Sequence, residues 1–174
     1  VENNLIMVSN YHGISLYGLI NGAILNNTVV DRIDGDIMNP WITIRDHKDG
    51  TPSRDSIAAN NIVSRNVNVG GNNVIAAANF EIGGDAFSDM TDYFVDPFAY
   101  DFHLLDTPLT RERLIDQGIA YSVYVSSDVD HDRRERSGPP DLGAYELWTE
   151  RPPHDGDAGE LRAPPSGLRI RTSD

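Results

Sequence analysis

The chain has 174 residues, of which 39% are hydrophobic, and this is enough for one domain with its own core. Its 15 glycines and 10 prolines favour short strands and turns over a helical bundle. A net charge of −13 argues against nucleic-acid binding, the lack of cysteine excludes disulfides and thiolate metal sites, and no apolar run predicts a membrane span.

The first 80 residues carry a repeated pair of asparagines. The pairs occur in VENNLIMV (1–8), AILNNTVV (23–30) and SIAANNIV (56–63), with strand-like GISLYG (13–18) and WITIR (41–45) between them. A period of about 23 residues with two or three short strands predicts parallel coils that stack at the strand spacing. Asn suits the corners, because it tolerates left-handed backbone angles and its amides can bond one another. A plain turn is the alternative for any single pair.

Alternation of apolar and polar residues within these pieces predicts which side chains fill the interior of the coils. The predicted interior residues are Leu5, Ile14, Leu16, Ile24, Val29, Ile42, Ile44, Ile57, Ile62 and Val74.

The stretch NPWITIRDHKDGTPSRD (39–55) combines a tryptophan, a strand-like alternation and many charges. Alternation along WITIR points Ile42 and Ile44 toward the interior, so Trp41, Thr43 and Arg45 face outward. An outward Trp can stack on a sugar ring, and an Arg can bind a uronate carboxylate through two parallel hydrogen bonds. The pattern predicts a carbohydrate-binding face, with a solvated turn or an inter-chain contact as the alternative.

Residues of the preceding coil extend this predicted face. Tyr11 and His12 precede the GISLYG strand, and Tyr17 lies near its end. We expect them on the same flank as Trp41, with Tyr17 as a second outward ring. For His12, an ordinary turn residue is the alternative.

Two acidic stretches are candidate cation sites. The candidate ligands are Asp31, Asp34 and Asp36 in DRIDGDIMN, and Asp128, Asp130 and Asp132 in DVDHDRRE. The second stretch has the alternate acidic spacing of a calcium loop but lacks the glycine and the final glutamate of an EF-hand. Calcium is the cofactor predicted for it. Solvated carboxylates in the first stretch, and a loop pinned by Arg133 and Arg134 in the second, are the alternatives.

The C-terminal region contains five ordered pieces of one module. They are Asp96-Pro97, DFHL (101–104), Pro108 with IDQG (115–118), the acidic loop at 128–134, and DLGAYE (141–146). Residues 94 to 146 are thereby similar to the terminal module of bacterial surface β-helix proteins, with Leu142 in place of the usual Ile. The earlier coils resemble, in general character, the end of a right-handed parallel β-helix of the pectate-lyase-like superfamily.

The resemblance implies an all-β fold with right-handed parallel β-helix coils at 1–80 and a capping module at 81–147. The Pro-, Gly- and charge-rich composition of residues 148–174 predicts an irregular tail. A solenoid needs an atypical cap with a polar outer face at its end. The aromatic residues expected to plug the open coil are Phe94, Phe98, Tyr100, Phe102, Tyr121, Tyr124 and Tyr145.

The resemblance also implies a possible activity. The ending of the WITIR strand is similar to the strand-Arg-His ending of some alginate and chondroitin lyases of this superfamily, although Asp46 intervenes here. In those enzymes Arg and Lys neutralise the uronate and abstract its C5 proton. Arg45, His47 and Lys48 are therefore the candidate catalytic residues of a polysaccharide lyase or C5-epimerase.

The leading prediction is a carbohydrate-binding β-helix module of a secreted, surface or virion-associated, spike-like protein that recognises acidic polysaccharide. The lyase or epimerase is the alternative. An uncapped first coil exposes unpaired backbone groups from Val1 to about Val8. We therefore expect contacts there with an upstream region of the same protein or with other chains, for example in a homotrimer.

Overall fold

The computed structural model describes residues 1–31, 38–83, 90–120, 127–130, 134 and 138–147. Their secondary structure is mostly strand, with a short helix α1 (Pro108–Arg113) and a 3-10 turn at Pro97–Ala99. The strands are β1 (Leu5–Val8), β2 (His12–Tyr17), β3 (Ala23–Leu25), β4 (Thr28–Asp31), β5 (Trp41–Arg45), β6 (Arg54–Ala59), β7 (Ile62–Val63), β8 (Val67–Val69), β9 (Asn72–Ala77), β10 (Phe80–Glu81), β11 (Phe94–Asp96) and β12 (Asp101–Leu104). The coarse prediction of an all-β protein is confirmed. Within this part of the chain, no helix has the length and apolar character needed to cross a membrane.

The first ten strands form three parallel sheets that the chain visits in turn. Sheet 1 has the order β1-β4-β7-β10, sheet 2 the order β2-β5-β8, and sheet 3 the order β3-β6-β9. All neighbouring strands in these sheets are parallel, so successive rounds of the chain lie on one another at the strand spacing. Strands β11 and β12 form a separate antiparallel pair.

One apolar cluster receives residues from all three parallel sheets. Its buried members are Ile14, Ile24, Val29, Ile42, Ile44, Ala58 and Val63, and Ile6, Leu16, Leu19, Val67, Val69 and Val74 pack against them. Seven of the ten predicted interior residues lie in this central cluster, as predicted: Ile14, Leu16, Ile24, Val29, Ile42, Ile44 and Val74.

The other three predicted interior residues lie outside the central cluster. Leu5 and Ile62 both pair with Thr28 on sheet 1, and they pack against the C-terminal region. Ile57 belongs to a small cluster on sheet 3 with Leu25. The prediction was wrong for these three, because their strands carry apolar residues on both faces and hydrophobicity alone does not identify the inward face.

Four asparagines form a hydrogen-bonded ladder along one corner of the stack. The side-chain amide of Asn4 donates to Asn27 Oδ1 (2.9 Å), that of Asn27 to Asn61 Oδ1 (2.9 Å), and that of Asn61 to Asn79 Oδ1 (2.8 Å). The residue before each has a positive φ; these are Asn3, Asn26, Asn60 and Ala78. The predicted Asn stack is confirmed, and the last round of chain continues it with Asn79.

The C-terminal region covers the outer face of sheet 1. Phe94, Phe102 and Leu142 belong to one cluster with Val30 and Ile62, the outward side chains of β4 and β7. This lateral contact differs from the expected plug at an open end. Phe98 and Tyr100 are exposed, and Tyr121 and Tyr124 lie outside the described residues.

Candidate functional site

The outer face of sheet 2 carries most of the predicted binding residues. We call it the Trp41 face, and it consists of Tyr11, His12, Tyr17, Trp41, Arg45, Arg65 and Asn68. Ile42 and Ile44 are fully buried, whereas Arg45 is exposed and Trp41 is half-buried. The alternation predicted for β5 is therefore correct at these four residues, whereas Thr43, also predicted to face outward, is buried and donates to the Asn68 carbonyl (2.8 Å).

A register shift at Gly13 brings His12 beside Trp41. The pairing of β2 with β5 changes between His12 and Ile14, so that His12 lies opposite Trp41. A Cβ atom at residue 13 would lie 2.2 Å from Val29 Cγ1, and this close approach requires glycine. The bulge thus assembles the aromatic end of the Trp41 face.

The indole of Trp41 is held between side chains from both neighbouring rounds of the chain. Tyr11 stacks on it with ring centroids 5.5 Å apart and planes 18° apart, and His12 meets it edge-on at 5.1 Å. From the next round of the chain, shortly before β8, the Arg65 guanidinium lies over the ring at 5.3 Å. The tyrosines leave more surface free, because Tyr11 is 46% exposed and Tyr17 47% exposed.

Arg45 occupies the opposite end of β5, where a neighbouring strand orients it. Its guanidinium donates to Asn68 Oδ1 on β8, and its backbone carbonyl accepts from Ser53 Oγ (2.6 Å). A guanidinium has five N–H donors, so the Asn68 contact leaves most of them for a ligand. The Arg45 side chain is thus held by Asn68 while it remains exposed to solvent.

The three predicted catalytic residues have separate surroundings. His47 Nδ1 lies 2.8 Å from Asp49 Oδ1, in a turn closed by a hydrogen bond from the Gly50 backbone to the His47 carbonyl. The Thr51 backbone N–H and then His47 lower the pKa of Asp49 to about 2. Lys48 is exposed. No contact described for these side chains joins Arg45 to His47 or Lys48, so the lyase assignment stays a prediction.

Two of the acidic residues predicted to bind calcium, Asp128 and Asp130, have protein partners in the described part of the chain. Asp128 is buried, and its two oxygens accept backbone N–H groups of Asp130 (2.9 Å) and Glu146 (3.0 Å). Asp130 Oδ2 lies 2.8 Å from His103 Nε2. Asp132 lies outside the described residues, as do Asp34 and Asp36. The calcium prediction for the 128–132 loop is therefore untested.

His103 links the β11–β12 hairpin to this loop. Its Nδ1 lies 2.6 Å from Asp101 Oδ1, and its ring lies 4.2 Å from that of Tyr145. The hydrogen bond to Asp130, followed by that to Asp101, raises the pKa of His103 from 6.5 to about 9. Burial raises the pKa of Tyr145 to about 12.

We expect His103 to make the stability of the fold depend on pH. Because its folded-state pKa is raised, its contribution is complete below pH 6.5 and disappears as the pH rises through about 9. The ring is half-exposed, so water screens the interaction and about 1 kcal/mol is expected. Urea denaturation of the parent and of His103→Gln across this range is the test. A difference between the two proteins that does not change with pH would contradict the expectation.

Sequence reasoning did not select Arg65, Asn68 or His103. The alternation in NVNV (66–69) could have placed Asn68 outward, in register with Thr43. Arg65 and His103 gave no such signal, because Trp41, which Arg65 contacts, and Asp130, which binds His103, are distant from them in the sequence.

Comparisons with known protein families, with curated proteins and with solved structures found no match. The function therefore has to be argued from the geometry of the chain itself.

Proposed function

We propose that this chain is a carbohydrate-binding module that recognises an acidic polysaccharide through the Trp41 face, as part of a secreted, surface or virion-associated protein. The observation that carries the proposal is the combination of exposed Tyr11 and Tyr17 rings with the exposed Arg45 and Arg65 side chains on one sheet face. On a chain with a net charge of −13, such a local cationic patch is what an anionic ligand needs.

The geometry supports different proposed roles for the aromatic residues. Tyr11 stacks on the Trp41 indole and Arg65 lies over it. A sugar ring therefore stacks on the more exposed rings of Tyr11 and Tyr17, and Trp41 supports Tyr11. Such a division of roles revises the prediction that Trp41 itself stacks on the ligand.

The two guanidinium groups suit a ligand that lies along β5. Arg65 lies over Trp41 at one end of the strand, and Arg45 stands four positions further on. That separation is roughly 13 Å along the strand, which is longer than one sugar residue. The proposed ligand is therefore an oligosaccharide with more than one acidic unit, each bound by a charge-assisted hydrogen bond.

The finer fold assignment is part of the same proposal. Three parallel sheets visited in turn, a common apolar core and a ladder of asparagines at one corner support a right-handed parallel β-helix. Parallel crossover connections are right-handed in nearly all proteins. Such coils would let several copies, for instance in a homotrimer, present the Trp41 face to one polymer, so that weak single sites add up to useful binding.

Calorimetric titration with a soluble polyuronate tests the proposal. We expect Tyr11→Ala and Arg45→Ala each to weaken binding about five- to tenfold, since a stacked ring or a paired carboxylate contributes roughly 1 kcal/mol. Tyr100→Ala and Arg111→Ala are matched controls, because both side chains are exposed and lie outside the Trp41 face.

Two outcomes would count against the proposal. Equal binding by the parent, Tyr11→Ala and Arg45→Ala would leave only a solvated surface. Appearance of the ultraviolet absorbance of unsaturated uronate products would instead favour the lyase, and loss of that signal in His47→Ala and Lys48→Ala would assign the catalytic residues.

A further inference from the structure

Asp31, the last residue of β4, is fully buried, and only one of its carboxylate oxygens has a hydrogen-bond partner. Oδ2 accepts the backbone N–H groups of Met38 (3.0 Å) and Asn39. Oδ1 is buried and has no partner. A carboxylate inside a protein normally has its charge compensated and its oxygens hydrogen-bonded, so this oxygen requires an explanation.

A second oxygen without a partner belongs to Asn39. Its side-chain Oδ1 is also buried and accepts no hydrogen bond. The backbone of Asn39 is held at Asp31 by the hydrogen bond to Oδ2, and its φ of 50° is left-handed. Asp31 and Asn39 thus supply one charged and one neutral oxygen acceptor where the connection between β4 and β5 begins and ends.

No lysine or arginine in the described part of the chain pairs with Asp31. A buried water could donate to both oxygens, but it would leave the carboxylate charge uncompensated. A bound cation would satisfy both oxygens and the charge together. Carboxylate and amide oxygens are hard ligands of the kind that Ca²⁺ accepts in irregular arrangements, whereas Mg²⁺ demands a nearly ideal octahedron.

We propose that Asp31 Oδ1 and Asn39 Oδ1 bind one calcium ion, with water or other oxygen atoms completing its coordination. This site is distinct from the acidic loop at 128–132. It lies beside the Trp41 face, because Asn39 precedes Trp41 by two residues and Trp41 begins β5. Calcium bound here would join the end of β4 to the start of β5 and stabilise the folded chain by mass action.

Calorimetric titration of the chelator-treated full chain with calcium chloride is the first measurement. We expect one calcium ion per chain, a rise in melting temperature with calcium, and a weaker response to magnesium. Asp31→Asn should abolish the uptake, and Asn39→Gly should weaken it at least tenfold. Asn39→Asp should strengthen it, because the added charge attracts the cation.

Asn39→Gly also separates binding from a structural effect. Glycine relieves the left-handed backbone angle, so without calcium this variant should be as stable as the parent even though its calcium response is weakened. Asn73→Gly is the matched control, since Asn73 is an exposed asparagine with a φ of 55° and should retain the full response.

Terbium supplies a local readout. Terbium replaces calcium in oxygen sites, and its emission is sensitised by a nearby indole. Excitation of tryptophan should therefore produce terbium emission that calcium displaces, and Asn39→Gly should reduce it.

Three results would overturn the assignment. They are no calcium uptake by the parent, equal uptake by the parent and Asn39→Gly, and loss of uptake in Asp130→Asn with normal uptake in Asn39→Gly. The last result would place the ion in the 128–132 loop. If Asp31→Asn fails to fold, Asn39→Gly still decides between these outcomes.

Discussion

Replacing Arg134 with methionine is expected to lower the free energy of unfolding by about 3–5 kcal/mol. The Arg134 side chain is 1% exposed, and it forms an ion pair with Glu146 at 3.0 Å. It also donates to the carbonyl oxygens of Gly143 (2.8 Å) and Asp141 (3.3 Å) and to Asn3 Oδ1 (3.1 Å). Methionine fills the space but leaves a buried carboxylate and these acceptors without their donor.

The reason for the large effect is the position of Arg134 between two parts of the chain. Asn3 belongs to the first round of the parallel sheets, whereas Gly143 and Glu146 belong to the C-terminal region. Loss of the guanidinium should therefore loosen the contact between them. Arg134→Lys should also be destabilising, because an ammonium group lacks the planar fork of donors needed to reach this set of acceptors.

The measurement is denaturation by guanidinium chloride followed by circular dichroism, and Arg111→Met is the matched control. Arg111 pairs with Asp106 at an exposed position where water screens the interaction, so its loss should lower the stability far less than the loss of Arg134. The double variant Arg134→Met with Glu146→Gln should regain part of the loss, because it removes the unpaired charge. Equal stabilities of Arg134→Met and Arg111→Met would contradict this account.

Replacing Asn61 with alanine is expected to cost about 3–4 kcal/mol of unfolding free energy. Asn61 is fully buried in the middle of the asparagine ladder. Its Oδ1 accepts both the backbone and side-chain N–H groups of Asn27, each at 2.9 Å. Its amide donates to the carbonyl of Ile24 (3.0 Å), to that of Ala59 (2.9 Å) and to Asn79 Oδ1 (2.8 Å). Alanine leaves these groups unsatisfied on both sides of one round of the chain.

Asn61→Asp sharpens the test, because aspartate keeps the acceptors and the shape but loses the amide donors. It should be destabilising as well, since three acceptors, including two carbonyls, then face a carboxylate. Asn72→Ala on β9 is the control, because Asn72 is exposed and a change within about 0.5 kcal/mol is expected. Urea denaturation at neutral pH compares the three variants. Equal free energies of unfolding for Asn61→Ala and Asn72→Ala would show that the asparagine ladder does not stabilise the fold.

Much of the parallel arrangement could be predicted from local patterns. The Asn pairs identified the corners, because Asn is one of the few side chains that tolerate positive φ and can also bond its copy in the next round. The alternation in WITIR identified the inward and outward residues of β5, because one of its faces is polar. Where a strand is apolar on both faces, as at Leu5 and Ile62, the pattern did not identify which side chains face the core.

The sequence by itself determined the corners, the alternation of β5 and the presence of exposed aromatic and cationic residues, since each depends on a few neighbouring side chains. Only the tertiary structure decided that the C-terminal region covers the side of sheet 1, that Tyr11 and Arg65 enclose Trp41, and that Asp31 and Asn39 keep oxygens without partners. Those features depend on contacts between residues far apart in the chain, and their geometry is fixed by packing and register rather than by local preference.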